Sequence, residues 1–306
     1  MLVHLIDEPI ICTKILCRHW QTPSALVTPP SLSALARMKK PDQGAIGRDW
    51  PHLFRPANKW HLVHPLPMPI AIVTGASRGL GFENAKGLAA QGYDLVMVAK
   101  DQGRLSLAQQ SLKDLFPDRH ISTYAVDLED LTATRATTTQ IAAEHSAPDV
   151  LILAHGVMSE KMSRTLRTND EEWRRVMAIN LDSVFILVNG LVPSMAEARK
   201  GRVIIYSACL GRMSGPGNAG GLAPYRISKA GVNAMVRNLA HETGLGARGL
   251  LVDAVCPNHS QTDMGGPDAP RTAEEGAACA LWLATREFNA GDTTGVLWED
   301  NQIVEW

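Results

Sequence analysis

The 306-residue sequence lacks the features that most readily betray a partner or a compartment. Thirty Lys and Arg stand against 31 Asp and Glu, a formal net charge of −1. That balance leaves no electrostatic footprint for nucleic acid or for an anionic membrane surface. The five cysteines (Cys12, Cys17, Cys209, Cys256, Cys279) are scattered, form no paired framework and suggest a reducing compartment. No uninterrupted apolar run approaches the ~20 residues of a membrane span, and there is no internal repeat. These absences point to a cytoplasmic protein with neither a nucleic-acid nor a membrane partner. The length suits one large α/β domain or two small ones.

Residues 1–67 differ from everything after them. Prolines are dense (Pro9, Pro23, Pro29, Pro30, Pro41, Pro51, Pro56, Pro65, Pro67), and hydrophobic periodicity never persists beyond about two helical turns. Asp7 and Glu8 interrupt the apolar start, which argues against a secretory or transit signal. Cys12, Cys17, His61 and His64 match no standard zinc spacing, so no metal is expected. The segment reads as an irregular N-terminal extension, disordered or not translated, with translation beginning at Met68 as the plainer alternative.

From Met68 the chain organises itself around Ile70–Gly81, IAIVTGASRGLG. An apolar β-branched run fits a strand buried on both faces. Gly75, Gly79 and Gly81 then supply a tight strand-to-helix turn, and the helix that follows aims free N–H groups and its positive end at whatever lies above. That is a pyrophosphate site, and the flanking strand and helix favour dinucleotide binding over an ordinary loop. Strands are expected near 70–73, 95–99, 121–126, 150–154, 202–206, 250–255 and 296–298. Helices are expected near 82–91, 105–116, 132–145, 171–200 (bent at Pro193), 225–244 and 270–285. Alternation of this kind implies right-handed crossovers and a Rossmann-type doubly wound parallel sheet over residues 68–306.

In such a sheet a ligand lies over the carboxyl ends of the strands. Near that edge falls Tyr225-Arg-Ile-Ser-Lys229, whose phenol and ammonium share one helix face. A cation so placed favours phenolate and lowers the tyrosine pKa towards general acid/base use.

TGASRGLG (Thr74–Gly81), Asn180 in MAINLDSVF and YRISK (Tyr225–Lys229) together resemble the classical short-chain dehydrogenase/reductase family. The segments Val255–Gly266 and Arg271–Thr285 look like its carbonyl-reductase-like branch. The resemblance implies an oxidoreductase moving a hydride between a nicotinamide and a small-molecule carbonyl or secondary alcohol, in a homo-oligomer. It implies that Tyr225 is the proton donor, that Lys229 holds the nicotinamide ribose, and that Asn180 fixes a water. The implied cofactor positions are Thr74, Gly75, Ser77, Arg78, Gly79, Leu80 and Gly81 in the turn, then Lys100, Asp127, Leu128, Ala154, Gly156, Lys229, Pro257 and Thr262.

Two departures stand out. The family's Asn-Asn-Ala-Gly is here Leu153-Ala154-His155-Gly156, and the catalytic-serine position falls on Ala208, with Ser207 one residue early. A one-residue shift turns a strand side chain to the opposite face, but Ser207 lies at a strand end and is expected to reach the substrate oxygen. Arg78 and Lys100 suit the 2′-phosphate of NADP, while Asp101 keeps NAD as the alternative. A competing reading is a catalytically weak or inactive dinucleotide-binding sensor or partner-binding protein.

Overall fold

The computed structural model describes residues 68–160, 163–215, 220–289 and 292–306. The expectations for residues 1–67 lie outside the described residues. From Ile70 the chain runs β1 (Ile70–Thr74), α1 (Gly79–Ala90), β2 (Asp94–Ala99), α2 (Gln102–Leu115), β3 (Ile121–Ala125), α3 (Leu131–Glu144) and β4 (Val150–Leu153). It continues with α4 (Asp170–Met177), α5 (Ser183–Ala198), β5 (Gly201–Tyr206), α6 (Ala223–Glu242), β6 (Leu250–Val255), α7 (Ala273–Thr285), β7 (Leu297–Glu299) and β8 (Gln302–Val304). The sheet order is β3-β2-β1-β4-β5-β6-β7-β8, parallel except for β8. Strand order reverses between β1 and β4, the switch point where a doubly wound sheet opens a crevice.

Strand side chains alternate between two packed layers. Ile72, Val96, Leu151, Val203 and Val252 meet Ile141 of α3, Leu187 of α5 and Val232 of α6. Ala71, Leu95, Met97, Ile152 and Ile204 meet Leu88 of α1, Leu105 of α2 and Leu283 of α7. Coverage of both faces is why the strands read as continuous apolar runs rather than alternating ones. Several helix starts are fixed by side chains: Asp101 accepts from Arg104 N, Asp130 from Thr132 N and Ala133 N, and Asn169 from Glu172 N. Thr272 and Glu275 form a reciprocal capping box, which starts α7 at Ala273 rather than at Pro270.

The long helical pattern after Glu171 departs from regular geometry at a place other than the one expected. α5 runs through Pro193, and the irregularity is a π-turn at Ala178–Asp182 between α4 and α5. Asn180 lies in that turn, fully buried. By length and apolarity the stretch Asp170–Ala198 would suffice to cross a membrane, although it is not an uninterrupted apolar run, and half of its most apolar window is buried inside the protein. β8 went unread because Gln302–Val304 is too short to show a period. Its signal was the two-residue turn Asp300-Asn301, both at positive φ, a type I′ hairpin.

Candidate active site

The glycine turn is built by close approach. Gly75 has φ +66, and a Cβ there would lie 3.1 Å from His155 N. A Cβ on Gly81 would lie 2.3 Å from the Gly75 carbonyl oxygen, so only glycine lets α1 start against β1. α1 has no side-chain cap and no acid in its first turn, which leaves its first N–H groups for an anion. The turn therefore fits a pyrophosphate. The loop after β6 folds onto it: Thr262 Cγ2 lies 3.2 Å from a Cβ position on Gly79, and Asp263 pairs with Arg78. Pro257 opens this loop half-buried, and its carbonyl accepts from Ser260 Oγ at 2.9 Å.

α6 carries Tyr225 and Lys229, both buried. Lys229 Nζ donates to the Tyr206 carbonyl at 2.7 Å and lies 5.9 Å from the Tyr225 ring centroid. The Tyr225 hydroxyl has no hydrogen-bond partner among the described residues. Burial holds the Lys229 ammonium down to about 8. The Tyr225 phenol moves against expectation: burial, reinforced by the neighbouring Cys256 and Cys209, pushes it up. Desolvation of the phenolate outweighs a cation that bonds a backbone carbonyl instead of the phenol.

Asn180 and Gly156 complete this cluster. Asn180 Oδ1 accepts from Val157 N at 2.8 Å, while its Nδ2 donates to Val157 O at 2.9 Å and to Ser228 Oγ at 3.1 Å. Three of the four bonding positions of the carboxamide are thus taken by protein, which leaves one lone pair for the water it is expected to hold. Ser228 Oγ donates in turn to Tyr225 O at 2.7 Å, tying the π-turn to α6. A Cβ on Gly156 would stand 3.3 Å from Asn180 Oδ1 and 3.5 Å from Lys229 Nζ, so the chain after β4 presses directly on this pair.

Ser207 does not reach the place expected of it. Its N–H continues the ladder to Val255 O at 2.8 Å, so the strand register persists and the side chain stays on the α6 face. Its hydroxyl donates to Asn233 Oδ1 at 2.5 Å and lies 3.3 Å from Lys229 O. Asn233 is two helical turns past Tyr225, roughly 12 Å along the axis, and helical side chains lean towards the N-terminus. Ser207 therefore fastens β5 to α6, and Asn233 Nδ2 extends the tie to Gly211 O at 3.2 Å.

The sequence reading missed His155. Its Nδ1 lies 2.6 Å from Thr74 Oγ1 and its Nε2 2.9 Å from Ser183 Oγ. Ser183 spends its one hydroxyl proton on Ile179 O at 2.7 Å, so Nε2–H is the donor to Ser183. Nδ1 is then an acceptor from Thr74, whose oxygen accepts Ala154 N–H at 3.1 Å. A fully directed chain thus joins β1 and β4 to the π-turn. Burial, with the Lys229 charge, holds His155 neutral, at about 3. The only sequence signal was the histidine itself where the family carries alanine.

Just past the carboxyl ends of β2 and β3, Lys100 pairs with Asp127 at 2.6 Å, with the lysine largely exposed. Burial pushes the Asp127 carboxyl up, but bonds from Lys100 and Glu129 N outweigh it and hold the group below its ordinary range. Asp101 spends a carboxylate oxygen capping α2, at 2.8 Å from Arg104 N. Leu128 and Leu80 turn away from the crevice. Leu128 is buried in the core, and Leu80 packs towards Gly276 of α7. Ser77 and Ala154 are half-buried at the same edge.

Comparison with known proteins shows the family and the fold. The short chain dehydrogenase family profile matches residues 69–273, and the chain belongs to that family of oxidoreductases. The 3-oxoacyl-(acyl-carrier-protein) reductase of Escherichia coli K12 is 32% identical over 195 residues, covering 64% of this chain and 75% of the relative. That of Staphylococcus aureus is 29% identical over 197 residues, covering 63% and 75%. The crystal structure of carveol dehydrogenase from Mycobacterium avium in complex with NAD superposes with a TM-score of 0.66 at 24% identity, covering 76% of this chain and 95% of that one. A short chain dehydrogenase from Salmonella enterica serovar Typhi gives 0.66 at 23%, with 76% and 95% covered.

Proposed function

We propose that this chain is a cytoplasmic NADP(H)-dependent reductase of a small-molecule carbonyl, of the carbonyl-reductase-like branch. The observation that carries the reading is the meeting of Tyr225, Lys229 and Gly156 beside an uncapped glycine turn. When bound, the nicotinamide supplies the hydride. Tyr225 gives its proton to the carbonyl oxygen as negative charge develops there, and its raised pKa keeps it in the protonated form a donor needs. Lys229 is the ammonium that binds ribose hydroxyls. Asn180 is a positioning residue that holds the π-turn against Val157 and presents its remaining lone pair to water. Ser207 has no chemical role.

Arg78 and Lys100 are both exposed cations, supporting a 2′-phosphate once they leave Asp263 and Asp127. One charge-assisted pair of about 1.4 kcal/mol would favour NADPH over NADH ~10-fold in kcat/KM. The mainly apolar groove between α5 and α6, lined by Phe185, Val188, Val192, Met235 and Leu239, supports contact with a second copy. The test is the loss of NADPH absorbance with a panel of ketones, quinones and 3-oxoacyl thioesters. One observation favours a second reading, a cofactor-binding protein with little turnover: no hydroxyl stands at Ala208. NADPH binding without oxidation across the panel would select it.

A further inference from the structure

β5 and β6 are neighbours with Tyr206 opposite Val255, so the residues just past their carboxyl ends come together. Cys209 begins a short 3₁₀ turn (Cys209–Gly211), and its N–H donates to Cys256 Sγ at 3.1 Å. Both thiols are free. Cys256 is buried and Cys209 half-buried, so Cys209 is the more accessible residue of the pair. Charge on either sulfur is felt at Tyr225, which puts the pair beside the cluster described above.

We propose that Cys209 and Cys256 are a modification site: a thiol pair that a hydroperoxide converts to an intramolecular disulfide at the edge of the active site. In the first step the Cys209 sulfur attacks the distal peroxide oxygen. The O–O bond breaks, the departing oxygen takes the Cys209 thiol proton and leaves as water or an alcohol, and Cys209 becomes a sulfenic acid. Cys256 then attacks that sulfur, an S–S bond forms and the S–O bond breaks. The sulfenic hydroxyl leaves as water, with its second proton taken from the Cys256 thiol. Two thiols are oxidised by two electrons and one peroxide is reduced. Cys209, the less buried of the two, is the thiol a peroxide reaches first and is assigned as attacker, with Cys256 as resolver.

The cross-link has a mechanical route to Lys229. A disulfide draws its sulfurs to ~2.05 Å, well inside hydrogen-bond range, so the 3₁₀ turn must move. Gly211 closes that turn against α6, where a Cβ would lie 2.7 Å from the Lys229 carbonyl carbon. With no slack there, displacement of the turn passes to Lys229. Only this effect on turnover rests on the proposed reductase function; disulfide formation does not.

The test treats the reduced full-length chain with hydrogen peroxide, blocks remaining thiols and maps the peptides by mass. The expected product links the Cys209 and Cys256 peptides, two hydrogens lighter than their sum, and dithiothreitol reverses it. Carbonyl-dependent NADPH oxidation should fall by ~10-fold or more, in line with the cost of ångström-scale misplacement, and return on reduction. Cys209→Ser, at the more exposed member, should abolish the cross-link and protect turnover. Cys256→Ala should leave Cys209 as a sulfenic acid that dimedone traps. Cys209 recovered as sulfinic acid beside an unmodified Cys256, or linked to Cys12, Cys17 or Cys279, would overturn the proposal. So would a disulfide that leaves turnover unchanged. If the chain reduces no carbonyl at all, the reductase reading fails while the peptide map still decides the disulfide.

Discussion

At the scale of single residues, position on the strand edge did not by itself decide chemistry. Ser207 sits at the right edge, and its hydroxyl is committed to Asn233. Ser207→Ala should cost about 1–2 kcal/mol by stranding Asn233 Oδ1, measured by denaturant unfolding. Turnover should hold near its original level, whereas loss of an oxyanion donor would lower it ~10²–10³-fold. Lys229 makes a pH prediction. Its folded pKa, about 8, lies below the ordinary 10.5. Between these values the unfolded chain binds more protons, so this group lets stability rise with pH from about 8 towards 10.5, and its burial penalty is undiminished below 8. Binding that needs the ammonium should run the other way, with NADPH affinity falling as pH rises through about 8. A flat affinity profile across that interval, or one unchanged in Lys229→Met, would remove Lys229 from the cofactor site. The tyrosine–lysine pair was legible because helical spacing alone puts residues four apart on one face. The direction of the Tyr225 shift was not, since it depends on how much water the fold removes.

At the scale of elements, the glycine turn, seven of the eight strands and the helices were legible because their signals are local: β-branched runs, helical periodicity, caps and breakers. Features that depend on distant partners were not. His155 finds Thr74 81 positions away and Ser183 28 positions away, and no window of sequence links them. The bend in the long helix follows the same rule. Pro193 was the local candidate, yet the π-turn forms where Asn180 meets Val157 across the chain. His155→Leu fills the space but strands the Thr74 and Ser183 hydroxyls, so it should destabilise the fold by about 2–4 kcal/mol in denaturant unfolding. Asn at 155, restoring part of the polar link, should recover a portion of that loss. Leu and Asn variants of equal, near-native stability would show the chain of hydrogen bonds to be incidental.

At the scale of the whole molecule, the strand order brings pieces from across the chain to one crevice. β1 delivers the glycine turn, β4 delivers Ala154–Gly156, and β6 delivers the loop that touches Gly79 through Thr262. α6 then sets Tyr225 and Lys229 against the β4 piece, with Ser228 and Asn180 bracing them. On the proposed function, this assembly works as one site in which Tyr225 moves the proton and the glycine turn holds the cofactor. Tyr225→Phe separates the two roles, because it keeps the buried ring and deletes only the hydroxyl. The decisive measurement compares wild type and variant for NADPH binding and for single-turnover NADPH oxidation with the best carbonyl of the panel. Binding should be unchanged and the oxidation rate should fall by at least ~10². A variant that oxidises NADPH at the wild-type rate would show that Tyr225 is not the proton donor.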